Sequence, residues 1–258
     1  MKAVPIFTHS LKQVLGNLSG AIQVSAIPYA IQFVAAFVLT RPDKTVSMAS
    51  DPVAMMQNQP SIVAVLLSLL VTIATSVWIA VAWHRFVLKN EVPSGFVPPI
   101  HADRMLGYFL RALGIGLICI VLFLVLGFVA GLIGGAVAYA TGSTLVTLIF
   151  VAVIVYFPIF VITYRLSTSL PAPAVADGAG PFMAGWEATK GDTGTFIGLG
   201  VISAAILFAS GLLSLYVFGG NMVLFLIWNF LFSWLATMVG LSILTTLYGH
   251  YIEKRELV

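Results

Sequence analysis

Six stretches of this chain are apolar over about 20 residues, and their interiors contain no Asp, Glu, Lys, Arg or His; Arg111 lies within a turn or two of the third one's end, where it can snorkel. A helix rising about 1.5 Å per residue needs about 20 such residues to cross the hydrocarbon core of a bilayer. The stretches run Leu18–Thr40, Ser61–Trp83, Met105–Gly131, Thr144–Thr163, Thr195–Phe218 and Met222–Tyr248. In lipid, a spanning segment must satisfy its backbone internally, which leaves only helices and closed barrels. Segments this long and apolar read as helices. The expected fold class is therefore all-α, a polytopic membrane helix bundle of six transmembrane helices in a single domain covering residues 1–258.

Composition agrees. Only 8% of the residues are charged and the mean hydropathy is +1.07, against about 25% charged in a soluble domain. Little length remains for a separate soluble catalytic domain. The net charge is +3, but the cations sit at the ends of apolar segments. They point to anionic lipid and to membrane orientation, not to nucleic acid. With the N-terminus in the cytoplasm, Lys2, Lys12, Arg85, Lys89, Arg104, Arg111, Arg165, Lys190, Lys254 and Arg255 face inward, and only Arg41 and Lys44 face outward. That bias predicts cytoplasmic N- and C-termini in a bacterial inner membrane. The start of the chain does not read as a cleaved signal peptide, because Lys12 interrupts it and the following apolar run is too long.

Two shorter segments are amphipathic. Phe7, Leu11, Val14, Leu15 and Leu18 recur at helical spacing. Within Pro181–Lys190, Phe182, Met183 and Trp186 share a face, and Glu187 and Lys190 are placed to pair. Both are expected to lie in the cytoplasmic interface; the alternative is simple extension of the span that follows. A weak internal repeat of hairpins, Leu18–Trp83, Met105–Thr163 and Thr195–Tyr248, is suggested by the aromatic residues and cations that close the even-numbered spans.

Polar and small residues form stripes inside the spans. Ser68, Thr72 and Ser76 follow a spacing of four on the second, and Asn229, Ser233 and Thr237 do so on the sixth. Such stripes either line a cavity for a polar substrate or hydrogen-bond helix to helix. Gly127, Gly131 and Gly135 form two small-xxx-small steps, and Gly194 with Gly198 a third. The spacing predicts close helix crossings there, with Gly131 at the centre. Pro28 and Pro158 are expected to kink their spans.

Catalytic and metal signatures are missing. Cys119 stands alone, and His9, His84, His101 and His250 match no ligand spacing. The nearest candidate for a polar catalytic cluster is His84–Arg111, with His84, Arg85, Lys89, Glu91, His101, Asp103 and Arg104. It serves either as a topology-setting loop or as the site of a membrane enzyme. No metal, no cofactor and no catalytic residue are expected. Trp83, Arg85, Arg165, Trp186 and Lys190 are candidate lipid- or structure-anchoring residues. For Arg165, two uses stand side by side: holding a lipid phosphate, or capping carbonyls within the bundle.

One region carries a resemblance. Tyr164-Arg165-Leu166-Ser167, Leu170-Pro171-Ala172, Ala174-Val175-Ala176-Asp177, Phe182, Gly185-Trp186 and Thr189-Lys190-Gly191-Asp192 succeed one another. This series resembles a broad set of bacterial membrane proteins related to the membrane domain fused to some glycerophosphodiester phosphodiesterases. Ala82-Trp83-His84-Arg85-Phe86-Val87-Leu88 looks like a version found in short, stand-alone relatives. The match covers about Tyr156–Ser214, plus that short run. The phosphodiesterase catalytic domain is absent, so the resemblance implies an all-helical bundle and no enzymatic activity. The expected role is a non-enzymatic scaffold, regulatory or accessory subunit, partnered by membrane lipids, a membrane protein or a second copy of itself. The alternative is a transporter or lipid-handling protein that uses the polar stripes.

Overall fold

The computed structural model describes residues 2–39, 60–176 and 180–256, without the side chains of Leu145 and Ala152. Thr40, Arg41, Lys44 and Asp177, used above for a span end, the charge bias and the resemblance, lie outside the described residues. The described chain forms helices α1 (Ala3–Leu15), α2 (Leu18–Leu39), α3 (Ile62–Lys89), α4 (Ala102–Thr141), α5 (Thr144–Ser167), α6 (Ala172–Val175), α7 (Ala184–Ala188), α8 (Thr193–Leu212) and α9 (Met222–Tyr251). A π-turn, Leu213–Val217, extends α8. Helices α2, α3, α4, α5, α8 and α9 are long and apolar enough to cross a membrane. The protein is an all-α polytopic bundle.

Helix boundaries exceed the apolar windows wherever protein contacts replace lipid. Helix α3 runs to Lys89 and α9 to Tyr251. Helix α4 is 40 residues long, about 60 Å at 1.5 Å per residue, twice the hydrocarbon thickness. The helix thus runs past both ends of the expected third span, Met105–Gly131. Helices α2 and α5 run through Pro28 and Pro158 without a break in the helix.

The helices alternate in direction, so the bundle has a charged end and, among the described residues, an uncharged one. At the uncharged end the starts of α3, α5 and α9 are capped by neutral side chains. Ser61 accepts from Ala64 N at 3.2 Å, Ser143 from Val146 N at 3.4 Å, and Asn221 from Val223 N at 3.0 Å.

The core gathers at the charged end. One cluster joins Trp83, Phe196, Leu199, Met238 and Leu247 with Ile6 and Val14 of α1. A second joins Tyr108, Leu170, Ala174, Val175 and Tyr248. Toward the uncharged end Phe33, Leu70, Phe128, Phe208 and Tyr216 are exposed. There α2 pairs with α3, and α4 with α5. Helices α8 and α9 are paired differently. Helix α1 is wedged between them at the charged end and packs on both.

Three expectations are corrected. First, α1 does not lie flat in the interface. It runs antiparallel to α9: Lys2 Nζ is 2.9 Å from His250 Nε2, Ser10 donates to Thr246 Oγ1 at 3.0 Å, and Ser242 donates to Gln13 Oε1. Its buried face is Ala3, Ile6, Ser10 and Val14, whereas Leu15 and Leu18 are exposed. Ser10 can be buried because Thr246 offers it a partner. Gly198 lets Ala3 approach, since a β-carbon built there would sit 2.6 Å from Ala3 Cβ.

Second, Pro181–Lys190 contains only the five-residue helix α7, which turns inward. Gly185 sits against the end of α5, where a β-carbon would lie 2.6 Å from Arg165 O. Thr189 is fully buried, and Glu187 and Lys190 form an exposed ion pair on the outer side.

Third, the stripe of Gly127, Gly131 and Gly135 meets nothing: a β-carbon at any of the three would have no neighbour within 4 Å. The close crossing of α4 and α5 uses the adjacent pair, Ala130 and Gly134. Both are buried, and a β-carbon on Gly134 would lie 3.4 Å from Val151 Cγ2. Neighbouring residues differ by about 100° around a helix axis, so a shift of one position selects another face.

Candidate functional site

Four of the five arginines at the charged end turn inward onto one connection; the fifth, Arg255, is exposed and donates to Leu88 O at 3.3 Å. Arg85, near the end of α3, donates through Nη1 to Ala174 O at 3.0 Å and pairs with Glu91 at 2.5 Å. Arg104, in the first turn of α4, donates to Ala176 O. Arg111, two turns further on, donates to Ser169 O at 2.9 Å and to Gly180 O at 2.6 Å, and is 7% exposed. Arg165, in the last turn of α5, donates to Thr189 Oγ1 at 3.0 Å and Trp186 O at 3.3 Å, and is 8% exposed. Its guanidinium also lies 3.9 Å from the centroid of the Trp186 ring, a cation–π stack.

The carbonyls that these four serve belong to the connection between α5 and α8. That connection has two very short helices and many backbone acceptors that no long helix satisfies. A guanidinium has five donors in a rigid plane and is weakly hydrated, so it can serve two carbonyls from one buried position. The lysines behave differently. Lys12, Lys89, Lys190 and Lys254 are all exposed, as suits a strongly hydrated ammonium. Within the bundle, Arg165 serves one carbonyl, that of Trp186, and the Thr189 hydroxyl.

The remaining candidates divide. Trp83 is fully buried and stacks on Phe86 at 5.5 Å. It lies more than a turn inside α3, in the core. Its Nε1 has no acceptor among the described residues. His84 is likewise no loop residue. It is fully buried, with Nδ1 2.8 Å from Thr245 Oγ1 and Nε2 3.4 Å from Tyr108 OH. The polar cluster expected over His84–Arg111 is thus mostly helix, and its true loop spans only residues 90–101. Within it, Glu91 bridges Arg85 and His101, whose Nε2 is 2.7 Å away. Burial alone would raise the Glu91 carboxyl. The hydrogen bonds and charges of Arg85 and His101 outweigh that and hold it below the usual carboxylate range. Asp192 is held low in the same sense, against its own burial, by hydrogen bonds from Tyr251 and Thr195 and by the charge of Lys2. Among the described residues no three His, Cys, Asp or Glu side chains approach closely enough to hold a metal ion.

A second feature lies in the apolar part of the bundle. Because α1 holds α8 and α9 apart, a cleft of about 440 Å³ opens between them. Phe7 and Leu11 of α1 form its floor, and Phe160, Leu235, Val239 and Ile243 are among its walls. Tyr164 and Ser203 supply its polar pair, 2.6 Å apart. Toward the uncharged end the cleft continues, through Leu207 and Phe232, into a space with neutral polar lining from Ser210, Ser214, Asn229 and Ser233. There Asn229 Nδ2 donates to Ser214 Oγ at 2.8 Å, tying α9 to the π-turn. Such turns often mark functional positions, and nothing in the sequence announced this one. Of the two stripes, Asn229 and Ser233 open onto this space. Thr237 is exposed and donates to Ser233 O at 2.8 Å. Ser68, Thr72 and Ser76 are half-buried on α3, outside the lining of the cleft.

No family profile, curated protein or solved structure matches this chain.

Proposed function

We propose that this chain is a non-enzymatic scaffold or accessory subunit of a bacterial inner membrane, with both termini in the cytoplasm. The observation that carries the reading is the inward turn of Arg85, Arg104, Arg111 and Arg165 onto one connection. The residues that offered the best material for chemistry are engaged in holding the backbone. What the charged end shows to its surroundings is a rigid platform bearing exposed lysines, suited to an anionic leaflet at about 1 kcal/mol per cation. Kinship with the membrane domain of glycerophosphodiester phosphodiesterases is part of this proposal. It carries the architecture across and no activity.

The test is extraction of the full chain from its native membrane into polymer-bounded nanodiscs, followed by mass determination and reconstitution. The expected result is a discrete assembly in which the 27.6 kDa chain accompanies a second copy or one partner polypeptide in fixed ratio. A solitary chain that sustains solute flux in vesicles contradicts the proposal. Location reporters fused in the loop at Ser94 and after Tyr251 test orientation. A periplasmic signal at either position sinks it.

A further inference from the structure

We propose that the cleft between α8 and α9 holds one acyl chain of a membrane phospholipid, with the ester region of that lipid at Ser214, Asn229 and Ser233. The first argument is width. On α9 the lining runs from Phe232 to Ile243, roughly 16 Å along the axis at 1.5 Å per residue. About 440 Å³ is open to the centre of a water-sized sphere; over that length this is a cross-section of roughly 27 Å², and adding the sphere's own radius of about 1.4 Å gives a cleft roughly 9 Å wide. A helix with side chains is about 10–12 Å across, wider than the cleft. A single polymethylene chain fits.

The second argument is polarity along the axis. The deeper part is walled by Phe160, Leu235, Val239 and Ile243, with the Tyr164 and Ser203 hydroxyls bonded to each other, and the part nearer the uncharged end by hydroxyls and an amide. That is the gradient from the tail of a lipid to its ester groups. The polar lining is neutral, so it suits ester carbonyls better than a phosphate. The third argument is that the cleft cannot stay empty cheaply. Apolar cavities do not hold ordered water, and an unfilled one forfeits dispersion contacts along its whole lining. The fold braces it open all the same, with the α1 wedge at one end and the Ser214–Asn229 bond at the other.

The experiment uses the full chain in nanodiscs of phosphatidylglycerol carrying a diazirine near the end of one acyl chain. After irradiation, adducts are mapped by mass spectrometry. Several-fold more adduct is expected on segments 203–207 and 235–243 than around Phe128 and Leu132, which face outward from α4. Gly240 lines the cleft, and a β-carbon there meets nothing within 4 Å. Gly240→Leu therefore grows a side chain into the cleft, and cuts labelling there at least fivefold while the melting temperature stays unchanged or rises. Ala236→Leu is the second variant, with the same expectation. The proposal is overturned if cleft labelling merely equals that at Phe128 and Leu132, if neither variant lowers it, or if a polypeptide is cross-linked in the cleft in place of lipid.

Discussion

At the charged end, polar groups find partners on other helices or on the α5–α8 connection: Ser10 with Thr246, His84 with Thr245, Arg85 with Ala174, Arg111 with Ser169, Tyr251 with Asp192. At the uncharged end, most partners lie on the same helix or its cap, as with Thr141 and Val137, Ser143 and Val146, or Asn221 and Val223. The ties of α9 to α8 and its π-turn, Trp228 Nε1 to Ser210 O and Asn229 to Ser214, are exceptions. The difference shows what specifies each half. Directional bonds between helices fix the charged half in one arrangement. The other half is a set of helices whose backbones are satisfied locally and whose side chains meet lipid or dispersive contacts. A cleft can exist there without loosening the rest.

The largest break in this comparison comes from Arg111→Met. It removes both bonds that Arg111 donates to the α5–α8 connection, one to the carbonyl of buried Ser169, which keeps only its bond from Ala172 N, and one to the carbonyl of exposed Gly180. Hydrogen bonds to charged groups contribute about 1.5–3 kcal/mol each, so a loss of roughly 3 kcal/mol is expected in denaturant titration in detergent. Leu132→Ala, which trims a residue 66% exposed in the other half, should change stability by less than about 0.5 kcal/mol. Similar losses from both would erase the distinction between the halves.

Next comes a contrast inside the uncharged half. Gly134→Leu overpacks the crossing of α4 and α5 and should cost about 1–3 kcal/mol. Gly131→Leu, one face away, should be tolerated. Folded yield after detergent extraction ranks the two, and the reverse ranking would mean that α4 is rotated from the position described here.

Arg165→Lys keeps the charge but removes the planar fork and weakens the stack on Trp186. A loss of about 1 kcal/mol is expected, with membrane orientation unchanged in reporter fusions. Arg85→Lys should be milder, because Glu91 can still pair with a lysine. Equal stability of both variants and parent would reduce these arginines to topology signals.

The smallest effect is one of pH. Glu91 titrates below its unfolded value, so its contribution is complete above about pH 5 and fades as pH falls through the ordinary carboxylate value of about 4.3 and below. Its side chain is 29% exposed, which limits the pair to about 1 kcal/mol. Thermal melts at pH 7 and pH 4 should differ less in Glu91→Gln than in the parent. An unchanged acid response in the variant would assign the effect elsewhere, with Asp192 next in line.

The spans were legible because hydropathy is a local property, and so was the pairing of Glu187 with Lys190, three residues apart. What escaped depends on distant partners. The amphipathic pattern of α1 suits a lipid surface or a protein surface equally, and only Thr246, far along the chain, decides that Ser10 is buried. The glycine spacing in α4 was visible, but not the rotation that presents Ala130 and Gly134 in its place. The donors of Arg111 were countable from the sequence. Their acceptors lie 58 and 69 residues away, and no local pattern names them. The cleft arises from a wedge of the first helix between the last two spans, the longest-range contact in the fold.

Hydrogen–deuterium exchange of the full chain in nanodiscs tests the central claim most directly, because it reads the α5–α8 connection itself. If the arginines hold that connection as part of the core, peptides covering Thr168–Val175 and Ala184–Thr189 exchange at least tenfold more slowly than the turns at Gly142–Ser143 and Phe218–Asn221. Equal exchange in the connection and in those turns would contradict the account.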